Sequence, residues 1–318
     1  MIIEFLLAGL GLIILLLAGD VLVRGAVNLS LRLGIPALIV SLTVVAFGTS
    51  APELLISIQA IWEGVPGLAL GNVVGSNTAN VLLVLGVPAL ISGLDTRQCE
   101  TRRTYLMMIA GTFLFIGLAY AGPFIWWHGL VLLAGLSLVL GDAFRSAQAH
   151  RAEVHGAMIA EEELEEADPS MPWWKIGLYM LLGLIGLPLG ADLLVDSATS
   201  IARAYGISET VIGLTLVAIG TSLPELATTV MAAIRQHAEV AIGNVIGSNM
   251  FNLLAIIGVA SLVGPIPVAP EFFVFDFWVM LAASLVLAPF VFMKLKMGRA
   301  VGLAFVALYI IYIGTLLA

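Results

Sequence analysis

Residues Ser41–Leu55 read SLTVVAFGTSAPELL, and residues Gly213–Ala227 read GLTLVAIGTSLPELA. A second phrase follows each at the same distance: GNVVGSNTANVLLVLG from Gly71 and GNVIGSNMFNLLAIIG from Gly243. The offset is 172 residues without a gap, and 21 of the 45 pairs that start at Leu42 and Leu214 are identical. Each copy carries a glutamate, Glu53 or Glu225, in an otherwise apolar stretch. An ionisable group inside a membrane segment costs several kcal/mol and marks a functional site by default. Two such groups related by a repeat read as one site built twice.

The surrounding composition decides the class. Of 318 residues, 61% are hydrophobic and 11% charged, against about 25% charged in ordinary soluble domains. Apolar runs of about 20 residues, long enough to cross a bilayer, recur from end to end. The expected fold is an all-α polytopic membrane protein, since barrel strands would alternate with period two. Spanning helices are expected near 2–23, 37–60, 69–91, 104–121, 125–142, 174–196, 209–233, 241–262, 276–293 and 299–317. Those ten divide into a first five-helix repeat over 1–142, an acidic linker over 143–173, and a second five-helix repeat over 174–318. The run EEELEEAD, Glu161 to Asp168, reads as a solvated loop.

Charge placement orients the chain. Odd-numbered connections hold Arg24, Arg32, Arg97, Arg102, Arg103, Arg145, Arg151, Lys175, Arg235, Lys294, Lys296 and Arg299, and the other side holds only Arg203. Basic residues stay cytoplasmic, so both termini are expected outside and the 143–173 linker inside, in the plasma (inner) membrane. Five helices per repeat is an odd number, so the second copy enters the membrane in the opposite sense. That is the inverted repeat through which a central site is served alternately from two sides.

Several residues carry less. Ile2–Val23 lacks a basic leader and a cleavage site, so it reads as a spanning helix rather than a signal peptide. Cys99 is the only cysteine and cannot form an internal disulfide. The net charge of −8 suggests no nucleic-acid partner. Trp126, Trp127, Trp173 and Trp174 fall at helix starts, as interfacial anchors do. Asp20 and Asp192, also 172 apart, suggest an interface or a cap. The Gly19–Asp20 and Gly141–Asp142 pairs lack the fuller context of an intramembrane aspartyl protease. No nucleophile–base constellation and no cofactor motif points to an enzyme.

Within GTSAPE, Pro52 removes a backbone donor and clashes with the carbonyl of Gly48, so a kink that frees carbonyls is expected. Thr49 and Glu53 share a helical face, and Thr221 and Glu225 repeat the arrangement. In the second phrase Gly71 and Gly75, with Gly243 and Gly247, permit close helix approach. Asn72, Ser76 and Asn80, with Asn244, Ser248 and Asn252, form polar stripes aimed at the carboxylates. The site is all oxygen, which favours hard cations such as calcium or sodium over zinc or copper. A calcium/proton antiporter is the nearest alternative, because a buried carboxylate can carry a proton. A passive cation channel is a third.

GTSxPE followed by GNxxGSNxxN, present twice, closely resembles the α1 and α2 repeats of the sodium/calcium exchanger family, here over 36–90 and 208–262. The layout of two five-helix halves, an acidic cytoplasmic loop and long first and sixth helices also resembles that family. The resemblance implies antiport of Na+ and Ca2+ by alternating access at a midplane site, with no cofactor beyond the transported ions. It implies ion ligands at Glu53, Glu225, Thr49, Ser50, Thr221, Ser222, Ser76 and Ser248, with Asn80 and Asn252 central and the backbone carbonyls of Ala46 and Ala218 joining them. Some members have aspartate where this chain has Asn252. Potassium-dependent members resemble that form, so no potassium requirement is expected. The short linker has no room for calcium-sensing domains, and the chain is expected to work in the bilayer as a monomer.

Overall fold

In a computed structural model the chain is described over residues 2–156, 171–206 and 218–317. The acidic run at 161–168 and the expected start of the seventh span at 209–217 lie outside those residues. The described chain is almost entirely helical: α1 (Ile2–Leu33), α2 (Ala37–Thr49), α3 (Ala51–Trp62), α4 (Pro66–Ile91), α5 (Arg102–Tyr120), α6 (Trp126–Gly156), α7 (Trp173–Ala204), α8 (Leu223–Ile234), α9 (Ala238–Val263), α10 (Phe272–Phe292) and α11 (Arg299–Leu317). Eight of these are long and apolar enough to cross a membrane, and the bent pair α2–α3 makes a ninth span among the described residues. The remaining expected span, the seventh, would include α8, and its first residues, 209–217, are outside the description.

Three helices outrun their expected ends. The first runs to Leu33, where Gly34 adopts φ 66° and Pro36 follows. The sixth is helical through Gly156, the last residue described there, across the alanine-, arginine- and glutamate-bearing stretch expected in the linker. The seventh runs to Ala204, before Gly206 at φ 78°. Hydropathy marks where apolar side chains stop. A helix stops only where a breaker or a left-handed residue intervenes, and Ala, Arg and Glu are good helix formers. The four expected anchors, Trp126, Trp127, Trp173 and Trp174, do stand exposed at helix starts.

Burial separates the motif helices from the rest. The apolar windows of α4 and α9 are 72% and 83% buried, whereas those of the other long spans are between 17% and 39% buried. The helices that carry GNxxGSNxxN are therefore the core, and the others present Ile, Leu and Phe outward. Close packing of α9 depends on its glycines. A Cβ on Gly243 would meet the Leu38 carbonyl oxygen at 2.9 Å, and one on Gly247 would meet that of Leu42 at 2.5 Å. Ser41 Oγ donates to the Val240 carbonyl at 2.6 Å across the same contact. No described atom lies within 4 Å of a Cβ added at Gly71 or Gly75, so the close approach expected there is not seen among the described residues.

Two isolated bridges among the described residues tie the two halves together. Leu94 exchanges backbone hydrogen bonds with Met297, and Phe124 does so with Ile266. Each joins a connection of the first half to one of the second. Leu94 and Ile266 are themselves 172 apart, as the other two are to within one residue. Cys99 lies buried beside the first bridge. Burial, and next the carboxylates of Glu239, Asp95 and Glu100, push its thiol up to about 12, so it is inert at neutral pH.

Asp20 does reach an interface. It pairs with Arg235, which ends α8, and with Arg24 one turn further along α1 at 3.3 Å. Its counterpart Asp192 has no cation partner among the described residues, and its charged neighbour is Asp196. Asp20→Ala leaves a nearly buried Arg235 with a lost partner, a cost of about 1–3 kcal/mol. A lowered thermal midpoint is expected for Asp20→Ala and an unchanged one for Asp192→Ala. Equal midpoints for the two variants would show that the ion pair contributes nothing.

Candidate cation-binding site

The expected kink proves to be a full break. Ser50, at φ −86° and ψ 5°, ends α2, and α3 restarts at Ala51 with its axis turned by 41°. Pro52 sits in the first turn of the new helix, where its missing N–H costs nothing. The second copy does the same at Ser222, at φ −88° and ψ 3°, between a helical turn at Ala218–Gly220 and α8. Glu53 and Glu225 thereby fall in first turns, where the positive end of the helix dipole favours an anion. Both are 1% exposed.

Asn72 and Asn244, expected to face the carboxylates, bond elsewhere. Asn72 Nδ2 donates to the backbone carbonyl of Glu53 at 3.4 Å and to Ser57 Oγ at 3.5 Å. Asn244 repeats this on the Glu225 carbonyl at 3.4 Å and on Thr229 Oγ1 at 3.2 Å. These two asparagines clamp the broken helix to its neighbour and do not point at the carboxylates. Asn244 Oδ1 also accepts from Thr49 Oγ1 at 3.3 Å, so the clamp joins the two halves.

The carboxylates sit between elements of both copies. Glu225 Oε1 accepts from Ser50 Oγ at 3.1 Å and from Ser248 Oγ at 3.4 Å. Glu53 lies near enough to Glu225 for the two charges to interact. Asn80 and Asn252 occupy or begin π-helical turns, Asn80–Val84 in α4 and Phe251–Ile256 in α9. Such turns interrupt the regular ladder and recur at functional sites. The Ala46 carbonyl is less free than expected, since it accepts from Ser50 N at 3.0 Å and from Thr49 Oγ1 at 3.3 Å. Ala218 opens the helical turn before the second break, and Thr221 lies within that break, half-buried.

Unsatisfied buried polar atoms are rare in folded proteins and call for an explanation. Among the described residues nine such side-chain atoms occur, and seven belong to residues of this cluster. They are Glu53 Oε2, Glu225 Oε2, Ser76 Oγ, Ser222 Oγ, Asn80 Oδ1 and both amide atoms of Asn252. No group of three or more His, Cys, Asp or Glu occurs among the described residues. The centre is thus two carboxylates surrounded by neutral oxygens, a donor set that suits a hard cation and not a soft one. The burial of both carboxylates means that no ion reaches them until the packing opens on one side.

A buried oxygen cluster between broken helices, inside an all-helical membrane protein, is the architecture of an ion transporter. The chain matches the family described as sodium/calcium exchanger protein over residues 3–140 and 175–318. It is 32% identical to the sodium/calcium exchanger MaX1 of Methanosarcina acetivorans, over 98% of this chain and 97% of that one. It is 34% identical to the inner membrane protein YrbG of Escherichia coli, over 96% and 94%. Its fold matches that of the sodium-calcium exchanger NCX_Mj, soaked with 2.5 mM Na+ and 1 mM Sr2+, with a TM-score of 0.83 and 34% identity over 99% and 98% of the two chains. The chain belongs to the sodium/calcium exchanger family.

Proposed function

We propose that this protein exchanges Na+ for Ca2+ across the plasma membrane by alternating access, with both termini outside. The observation that carries the reading is the set of unpaired buried oxygens around two glutamates, one from each copy of the repeat. Glu53 and Glu225 supply two negative charges, enough to neutralise one divalent ion. Thr49, Ser50, Ser76, Thr221, Ser222, Ser248, Asn80 and Asn252, with the carbonyls of Ala46 and Ala218, supply neutral oxygens for calcium or for sodium. The two ions compete for one set of ligands, which is the minimum an exchanger requires. A proton needs no such cage, and a channel needs weak binding at several points along a pore. With amides at both Asn80 and Asn252, transport requires no potassium.

The test is calcium uptake by liposomes loaded with sodium and placed in sodium-free medium. Uptake that needs the outward sodium gradient and survives a proton uncoupler is expected. Uptake that ignores sodium and follows an imposed pH gradient would make the protein a calcium/proton antiporter. Uptake that never exceeds equilibrium with the calcium gradient would make it a channel.

A further inference from the structure

The two asparagines of the GSN triplets, Asn77 and Asn249, are each 1% exposed and stand 172 residues apart, yet they do different things. Asn249 Nδ2 donates to the backbone carbonyl of Asn77 at 3.4 Å and lies 3.8 Å from Met108 Sδ. A carbonyl only accepts, so this contact decides which end of the Asn249 amide faces away. Its Oδ1 then accepts from Asn80 Nδ2 at 3.0 Å. Asn80 in turn must present its nitrogen to Asn249, which leaves Asn80 Oδ1, buried and without a protein partner, as its outward atom. One backbone carbonyl thereby sets the polarity of two side-chain amides in series.

The mirror-related chain is not made. Asn77 Nδ2 turns back onto its own helix and donates to the Val73 carbonyl at 2.8 Å. Asn77 Oδ1 is left without a partner, and so are both amide atoms of Asn252, the counterpart of Asn80. The serines show the same imbalance. Ser50 and Ser248 hydrogen-bond Glu225, while their counterparts Ser222 and Ser76 are unpaired. Each half therefore holds one of two discrete arrangements, and in an inverted repeat the halves trade arrangements when access changes sides.

We infer that Asn249 and Asn77 are positioning residues for the two central amides and that they work in alternation. In the state described here Asn249 holds Asn80 with its oxygen presented. In the opposite state Asn77 leaves Val73, bridges to Asn249 and holds Asn252 in the same way. This inference rests on the proposed exchange at this site. Neither GSN asparagine touches the ion. Each fixes which atom of its partner amide faces it, and each stabilises one access state only.

The experiment uses the full chain in proteoliposomes of uniform orientation. The calcium concentration for half-maximal sodium-driven exchange is measured at each membrane face, and the ratio of the two is the readout. A change in the balance of access states moves that ratio, because apparent affinity scales with the fraction of competent protein. Asn249→Leu removes the bond seen here, so the ratio is expected to shift by about threefold to tenfold, as for one neutral hydrogen bond. Asn77→Leu is expected to shift it by a similar factor in the opposite direction, and the double variant to return near the wild type. Asn249→Asp keeps the acceptor for Asn80 but sets a carboxylate oxygen against the Asn77 carbonyl, so its ratio is expected to shift in the same direction as that of Asn249→Leu. If either leucine variant fails to fold, the alanine pair takes its place. Shifts in the same direction for the Asn77 and Asn249 members of the pair, or no shift in a folded pair, overturn the assignment. A wild type without sodium-driven uptake sinks the functional reading instead.

Discussion

Glu225→Gln is expected to abolish sodium-driven calcium uptake, with the initial rate down by about 100-fold or more, and Glu53→Gln to do the same. Glutamine has the shape of glutamate and can still accept from Ser50 and Ser248 through Oε1. What it loses is charge, and it places an N–H₂ donor where Glu225 has the unpaired Oε2. Removing one member of a buried charge-compensated set costs about 3–5 kcal/mol, and each 1.4 kcal/mol is about tenfold in affinity. A divalent ion left facing one carboxylate then has no counterion for its second charge. The same substitution relieves the repulsion between Glu53 and Glu225 in the absence of ions. The variants are therefore expected to melt no lower than the wild type in calcium-free, sodium-free buffer, which separates loss of binding from loss of fold. Uptake at the wild-type rate by either variant would remove the paired glutamates from the mechanism.

The second large effect is expected in the packing of the two core phrases. Gly247→Val places a Cβ 2.5 Å from the Leu42 carbonyl oxygen and 2.6 Å from Ala46 Cβ, with the Leu42 carbonyl carbon at 3.0 Å. Two of these neighbours are backbone atoms of α2, which cannot rotate away as a side-chain end can. α9 has to move off α2, and Ser248, Asn244 and Asn252 move with it. Overpacking a tight core costs about 1–3 kcal/mol and sometimes more, and this site lies at the upper end because the clash is with main chain. Gly177→Ala is the control, since Gly177 is exposed and a Cβ there has open space. The thermal midpoint in detergent is expected to fall sharply for Gly247→Val and to stay put for Gly177→Ala, with transport lost only in the former. A stable, active Gly247→Val protein would mean that the α2–α9 contact is not needed to form the site.

Much of this was readable from residue types, because membrane insertion makes polar chemistry conspicuous. A glutamate costs several kcal/mol in an apolar helix, so its mere presence at 53 and 225 announced the site. The GTSxPE phrase announced the break, because proline has no N–H to give. The oxygen-only chemistry followed from the absence of His and Cys in either phrase. The helix ends at 33 and 204, and the helical run of α6 through 156, were not readable, because hydropathy reports contact with lipid and not hydrogen bonding along the backbone.

Hydrogen-bond direction was out of reach for a different reason. Asn72 and Asn80 lie on one polar stripe with the same amide, and nothing in their identity says that Asn72 clamps a carbonyl while Asn80 keeps an oxygen free. Asn77 and Asn249 are the same residue in the same triplet, yet one binds its own helix and the other crosses to the opposite half. A repeat in sequence specifies two equivalent halves. One folded state breaks that equivalence, because the two halves of an inverted repeat adopt different arrangements when the site faces one way. Residue types and the repeat carry the membrane class, the paired glutamates, the weak points of the helices beside them and the family resemblance. Which oxygens are already paired and which amide is already oriented emerge only in the folded chain, because those depend on contacts between residues far apart in sequence.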